Sequence, residues 1–375
     1  MGSLTGVGMY LKNVLAAWPA DCPLQPRLFA TGPRPFATGE APAYRPLNLT
    51  PLSRLPVAGP AGRRLPWFAR RMLHRVWDWR FGRTFRRSRC AAYFEPNHLA
   101  IRLDGPTIAT VHDLSVLDHP QWHPADRVAL WEESLASSVG HTAAWLADSR
   151  FTRMRMIQRL AIPPERITVV PLAARPLRFP PAQRMAAVGQ QMGLPPRYIL
   201  HLGTIEPRKN IGLLLDAISL LDAGRRRRCP LVLAGGAGWG GQEFWRQLSG
   251  HPLAGEVLCT GYIDDDSAAA LLAGATALVA PSHYEGFGLP ILEAFAAGTP
   301  VVCSDADAFT EIAAGAAAVL PTNDPSAWAA AIERIADDEP WADQLRQSGR
   351  ARAADYSWSR CAAATAKVIR DTAGM

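Results

Sequence analysis

Six short apolar runs in the second half of the chain, at 198–203, 230–235, 256–260, 277–280, 300–304 and 317–320, are separated by stretches of helical periodicity. Those stretches lie at 209–222, 241–249, 266–273, 288–297 and 307–314, and three further helical patterns at 325–336, 340–354 and 357–371 close the chain. Strands that alternate with helices predict a doubly wound α/β unit with a parallel sheet, whose ligands bind beyond the carboxyl ends of the strands. The first half alternates less cleanly. It suggests helices at 8–18, 130–146 and 152–160 and strands at 107–112 and 168–171. A proline- and arginine-rich stretch, 171–196, marks the boundary between the halves. Two α/β domains joined by a linker place a shared ligand in the cleft between them.

A chain of 375 residues can bury a core in each of two domains, and 48% apolar against 19% charged residues excludes a disordered protein. No run of 18 apolar residues is present to span a bilayer, and Met1 leads into Gly-Ser-Leu-Thr-Gly without the pattern of a secretory leader. The six cysteines (Cys22, Cys90, Cys229, Cys259, Cys303, Cys361) form no C-x-x-C pair and read as buried, reduced thiols. The net charge of +7 is local, because residues 61–90 hold ten arginines against Asp78 alone. That segment carries +9, so the remainder is slightly acidic.

The densest signal for chemistry is 281–294, Pro-Ser-His-Tyr-Glu-Gly-Phe-Gly-Leu-Pro-Ile-Leu-Glu-Ala. Glu285 and Glu293 flank a turn with Gly286 and Gly288, where a ligand can approach backbone, and the helix behind it offers unpaired N–H groups to an anion. Were the segment helical throughout, the two carboxylates would lie roughly 12 Å apart along the axis. That suits a ligand with hydroxyls at both ends and a negative middle, such as a nucleotide sugar.

Residues 198–303 resemble the donor-binding half of family 4 retaining glycosyltransferases, which have the two-domain GT-B fold. The matching pieces are His-Leu-Gly-Thr-Ile-Glu-Pro-Arg-Lys-Asn (201–210), Gly-Tyr-Ile-Asp-Asp (261–265) and the paired-glutamate segment. Thr-Val-His-Asp-Leu (110–114), Ala-Asp-Ser-Arg-Phe-Thr (147–152) and Val-Val-Pro-Leu-Ala (169–173) resemble that family's first domain. The resemblance implies an acceptor-side domain at 1–175, a linker at 176–196, a donor domain at 197–355 and a final helix, 356–375, packing back on the first domain.

It also implies roles. Glu285 holds donor sugar hydroxyls without acting as a nucleophile, and Glu293 holds the ribose. Arg208 and Lys209 face the diphosphate and offset the leaving-group charge. His112 sits beside the reacting sugar, with Asp113 available to orient its ring. Gly6 and Gly8 resemble the first-domain glycine turn that meets the diphosphate from across the cleft. A strand expected before that turn finds no room after Met1: either the start is truncated, or another segment fills that place, or the first domain lacks that strand. Gly203, Thr204, Tyr262, Ile263, Gly286, Phe287, Gly288 and Leu289 complete the expected donor wall. Thr204 stands where many relatives carry an arginine.

Asp264, Asp265 and Asp266 contain a D-x-D pattern, but they precede a helical stretch and read as caps rather than metal ligands. No metal or cofactor is expected. The donor is expected to be GDP-mannose and the acceptor a lipid-linked saccharide in cell-surface polysaccharide synthesis.

From 67 to 81, Phe68, Met72 and Val76 fall at helical spacing with Leu73 and Trp77 alongside, while Arg70, Arg71, Arg75 and Arg80 take other faces. Such a helix suits the surface of an anionic membrane, which predicts a cytoplasmic protein peripheral at the inner face of the cell membrane. A core helix with a solvated basic face is the simpler alternative. Arg225–Arg228 read as a solvated loop. Two other functions stay open: a catalytically inactive nucleotide-sugar binder or scaffold, and a nucleic-acid-binding protein using the arginine segment, for which no recognised module is present.

Overall fold

A computed structural model describes residues 6–27, 29–30, 47–48, 79, 81–98 and 100–375. The chain opens with α1 (Gly6–Ala16), a separate parallel pair β1 (Phe29–Ala30) and β2 (Leu47–Asn48), and α2 (81–88). A four-stranded parallel sheet follows, in spatial order β3 (Tyr93–Glu95), β4 (Thr107–Val111), β5 (Ala144–Ala147) and β6 (Ile167–Val169). The short α3 (Ser115–Asp118) and then α4 (Ala125–Val139) connect β4 to β5, and α5 (Arg150–Leu160) connects β5 to β6. All of β4 is buried, which is why its five residues read as one apolar run.

After α6 (Ala182–Gln191) the second sheet begins. Its six parallel strands run β12–β11–β10–β7–β8–β9 across the sheet. They are β7 (Ile199–Leu202), β8 (Leu231–Ala234), β9 (Leu258–Gly261), β10 (Ala277–Ala280), β11 (Val301–Ser304) and β12 (Ala318–Leu320). Read from β9, the order is third, second, first, fourth, fifth, sixth, the dinucleotide-binding arrangement with its switch point between β7 and β10. The helices between them are α7 (Ile211–Ser219), α8 (Ala223–Arg228), α9 (Gly241–Gly250), α10 (Asp265–Gly274), α11 (Leu289–Ala297) and α12 (Asp307–Ala313). The chain closes with α13 (Pro325–Asp337), α14 (Glu339–Ala353) and α15 (Trp358–Thr372). Each of the six strand expectations for this half falls on its strand.

One cluster of buried residues is continuous from Tyr10, Ile108 and Leu146 of the first lobe to Leu200, Leu292 and Phe295 of the second. The chain crosses between lobes twice. It leaves the first after β6, and α15 returns to pack on α1, with the Trp358 indole donating to the Ala174 carbonyl at 2.8 Å. Tyr10 of α1 lies 6.4 Å from Trp358, ring to ring.

Four expectations of local structure differ from what is observed, and of the cysteines expected to be buried Cys259 is exposed and Cys22 and Cys90 are half-buried. The helix expected over 130–146 ends at Val139, where His141 and Thr142 close a turn on the Ser138 carbonyl, and 144–147 is β5. The expected linker 176–196 contains α6, an alanine-rich helix that packs on α10 and ends at Gly193 (φ +68), whose follower Leu194 donates to the Gly189 carbonyl. The flanking prolines hid it. Arg225–Arg228 are helical, in α8 capped by Asp222, rather than a loop; Arg225 reaches Asp337 at 2.8 Å and Arg226 reaches Glu256 at 2.7 Å, while Arg227 and Arg228 are exposed. Gly6 and Gly8 form the first turn of α1, not a loop turn. Residues 1–5, which bear on the expected missing strand, and most of the basic 61–90 segment lie outside the described residues.

Candidate active site

At the switch point the connections after β7 and β10 diverge and leave a crevice at the carboxyl ends of both strands. The β7 connection carries Arg208 and Lys209, and the β10 connection carries Glu285. Lys209 Nζ lies 2.5 Å from Glu285 Oε1, Arg208 donates to Oε2 at 2.7 Å, and the Ser282 hydroxyl donates to Oε1 at 2.8 Å. Glu206 holds Arg208 from its other side at 2.5 Å. Burial alone would raise the Glu285 carboxyl, but the charges of Arg208 and Lys209 outweigh it and lower the pKa to about 2. Burial likewise opposes the Arg208 charge, and Glu285, Glu206 and Asp113 overcome it. Beneath them His201 is 3% exposed; its Nδ1 lies 3.1 Å from the Val279 carbonyl, and Nε2 has no partner among the described residues. Burial, then the Lys209 charge, lowers its pKa to about 4, so the ring is neutral.

His112 ends β4 on the facing lobe. Its Nδ1 lies 2.7 Å from Asp148 Oδ2 and its Nε2 lies 3.0 Å from the Pro96 carbonyl. Both partners only accept, so both ring nitrogens donate and the ring is an imidazolium. Burial opposes that charge, while the charge and hydrogen bond of Asp148 raise the pKa above its ordinary value. Tyr10 packs edge-on against the ring at 5.0 Å. The expectation that Asp113 orients His112 is replaced by Asp148, because Asp113 instead accepts from the Ser115 N–H (2.9 Å) and hydroxyl (2.7 Å) at the start of α3.

The two lobes touch at Gly286. A Cβ there would lie 1.8 Å from the His112 carbonyl oxygen and 2.7 Å from the Asp113 Cβ. The open space that the sequence suggested for a ligand is taken by the opposing backbone. The Gly286 carbonyl accepts from the Ser149 (2.7 Å) and Thr152 (3.0 Å) hydroxyls at the head of α5. Among the described residues, the N–H groups of Gly286, Phe287 and Gly288 make no hydrogen bond. Gly288 precedes α11 without a side-chain cap, so the positive end of that helix lies at the β10 connection. Residues 285–288 are not helical, so the 12 Å spacing expected for a continuous helix does not apply.

Glu293 lies in α11 and is 2% exposed. Arg175 grips it in a fork, Nε to Oε1 at 2.5 Å and a terminal nitrogen to Oε2 at 2.8 Å, and reaches Asp265 at 2.6 Å. Sequence reasoning missed Arg175, which sits in an irregular stretch and meets its partner 118 positions away. Of the other expected residues, Gly203 and the exposed Thr204 follow β7. Gly203 lies against Gly235 at the end of β8, where a Cβ would fall 1.9 Å from the Gly203 carbonyl oxygen. Tyr262, 69% exposed, and Ile263 follow β9; Phe287 is buried and Leu289 opens α11. Gly6 lies at the exposed head of α1. Asp264 caps α10 through the Ser267 N–H at 2.8 Å, as its position suggested.

Two lobes facing each other over a crevice that holds a buried carboxylate and two cations are the arrangement of a GT-B glycosyltransferase. A profile described as "Glycosyl transferases group 1" matches residues 190–352, and one described as "Glycosyltransferase Family 4" matches residues 4–174. The chain is 37% identical over 276 residues to the O-antigen chain mannosyltransferase B of Escherichia coli, covering 73% of this chain and 72% of that protein. The sucrose-phosphate synthase (tll1590) from Thermosynechococcus elongatus superposes with a TM-score of 0.75 at 21% identity, over 98% of this chain and 93% of that one. Anabaena Alr3699/HepE in complex with UDP and glucose gives 0.74 at 17%, over 99% and 97%. The chain belongs to the family 4 glycosyltransferases and is a hexosyltransferase.

Proposed function

We propose that this enzyme transfers mannose from GDP-mannose, with retention of anomeric configuration, to a lipid-linked saccharide during cell-surface polysaccharide synthesis. The observation that carries the reading is the Glu285–Arg208–Lys209 cluster at the switch point, taken with the likeness to an O-antigen chain mannosyltransferase. In the proposed complex, the diphosphate lies on the free N–H groups of 286–288 and draws Arg208 and Lys209 toward itself. Glu285, relieved of one cation, turns an oxygen to the sugar hydroxyls. Its low pKa and three hydrogen-bond partners make it a poor nucleophile, which supports positioning. His112 adds a fixed positive charge across the crevice.

Glu293 takes the ribose with the lone pairs that Arg175 leaves free, and the loop of Tyr262 and Ile263 lies toward the base. In this reading Arg208, Lys209 and His112 offset the developing leaving-group charge, so no bound metal is needed. The basic 61–90 segment holds the enzyme at the inner face of the cell membrane. No helix among the described residues is long and apolar enough to cross a bilayer.

Calorimetry with GDP-mannose, UDP-glucose and UDP-N-acetylglucosamine tests the donor, with GDP-mannose expected to bind at least tenfold tighter. A preference for either UDP sugar would overturn it. Turnover should survive a chelator, and NMR of the product should show the donor's anomeric configuration kept.

A further inference from the structure

The nucleotide reading fills the crevice over β7, β8 and β9 and the turn that leads from β10 into α11. Beyond the ends of β10, β11 and β12, with α5 on the facing side, lies a cavity of about 470 Å³, inside the roughly 300–1,000 Å³ range of small-ligand sites. One wall is aromatic. Tyr284 packs edge-on with His119 at 5.3 Å and with Phe151 at 5.2 Å, and its hydroxyl is tied to Asp118 at 3.0 Å. Trp122 stacks against His119 at 4.0 Å, so the wall is fixed in place.

The other wall is polar. Asp305 and Asp307 are exposed, and among the described residues their carboxylates have no hydrogen bond or ion pair. Arg155 also lines the cavity, but it is engaged by Asp118 at 2.6 and 2.8 Å. Glu285 borders the cavity where it meets the crevice.

Charge decides the class of ligand. Two free carboxylates repel a phosphate, which excludes a nucleotide or a lipid phosphate here. They accept well from neutral hydroxyls, and an aromatic wall packs on the C–H face of a ring that carries those hydroxyls. Burial holds His119 below the ordinary imidazole value, so it is neutral near pH 7 and offers one donor and one acceptor. We infer that this cavity is a saccharide subsite that holds a neutral pyranose of the acceptor beside Glu285. The inference rests on the glycosyltransferase reading of the crevice and names the acceptor side of the same site.

The test is saturation-transfer NMR of the full chain with the methyl glycosides of α-mannose, β-glucose and β-N-acetylglucosamine, run beside calorimetric titration of GDP. At least one glycoside should bind. In the double variant Asp305→Asn, Asp307→Asn its Kd should rise at least tenfold, while the Kd for GDP stays within twofold. If the double variant loses both ligands, His283→Ala, which alters an exposed side chain, decides on the same criterion. No binding by any of the three glycosides, or binding that the variants leave unchanged, would overturn the subsite. Failure of the wild type to bind GDP counts against the donor reading alone, because the glycoside titration stands separately.

Discussion

In the proposed reading the chemistry turns on Glu285, and its partners make that role testable. Glu285→Ala frees two cations and, in that reading, removes the contact to the sugar; Lys209→Ala there removes a charge from the leaving group. Each should lower transfer by about 10²–10³-fold or more while the fold survives, and wild-type turnover in either purified variant would remove the assignment. Arg175→Ala makes a different case, since it strands a 2% exposed carboxylate. Unpairing a buried charge costs about 3–5 kcal/mol, so urea unfolding should show a loss of that size, largely recovered when Glu293→Gln is added. His112 gives a pH dependence. Its folded pKa is raised, so its contribution to stability is complete below the unfolded value and is lost as pH rises through the folded one. Asp148→Asn should lower that pKa and flatten the loss, measured by NMR titration of the ring and melting temperature against pH.

The connection from β10 to α11 is where legibility ran out. Its paired glutamates stood out as a local pattern around a glycine turn before an apolar helix, and the structure brings Glu285 to Arg208 and Lys209. The six strands of the second sheet were readable for the same reason, each being a short local run, with β8, β10 and β11 buried throughout and the edge strands β9 and β12 partly exposed. What Gly286 is for was not readable. Its missing side chain makes room for the His112 carbonyl, and no local pattern reports a contact between positions 112 and 286. Arg175 and Asp148 were missed on similar grounds, since each meets its partner across a long sequence separation. Helix α6 was missed because prolines at 180, 181, 195 and 196 outweighed ten residues of weak helical signal. A prediction follows for the connection. Gly286→Ala cannot keep its backbone where it is with a Cβ 1.8 Å from an oxygen. The lobes should separate, seen as a larger radius of gyration in X-ray scattering, and transfer should fall. An unchanged radius with full activity would show that the contact is dispensable.

For the molecule as a whole, charge is distributed by lobe. In the second lobe Arg208, Arg225, Arg226, Arg334 and Arg346 pair with acids, whereas the sequence of the 61–90 segment gathers ten arginines with Asp78 as the sole acid within it. Deleting 61–90 should abolish co-sedimentation with liposomes containing anionic lipid while leaving GDP affinity in place. Equal sedimentation with and without the segment would argue against membrane attachment through it.

The return of α15 to α1 has a mechanical consequence. A polypeptide that crosses between two bodies once can swivel at the crossing, as a ball turns in a socket. This one crosses after β6 and again between α14 and α15, with Trp358 fastened to Ala174 beside the first crossing. Two crossings held together act as two pins of one door. A swing about them would draw Gly286 off His112 and, on the same leaf, the Glu311 carboxylate off the Arg150 and Phe151 N–H groups from which it accepts at 3.0 and 3.2 Å.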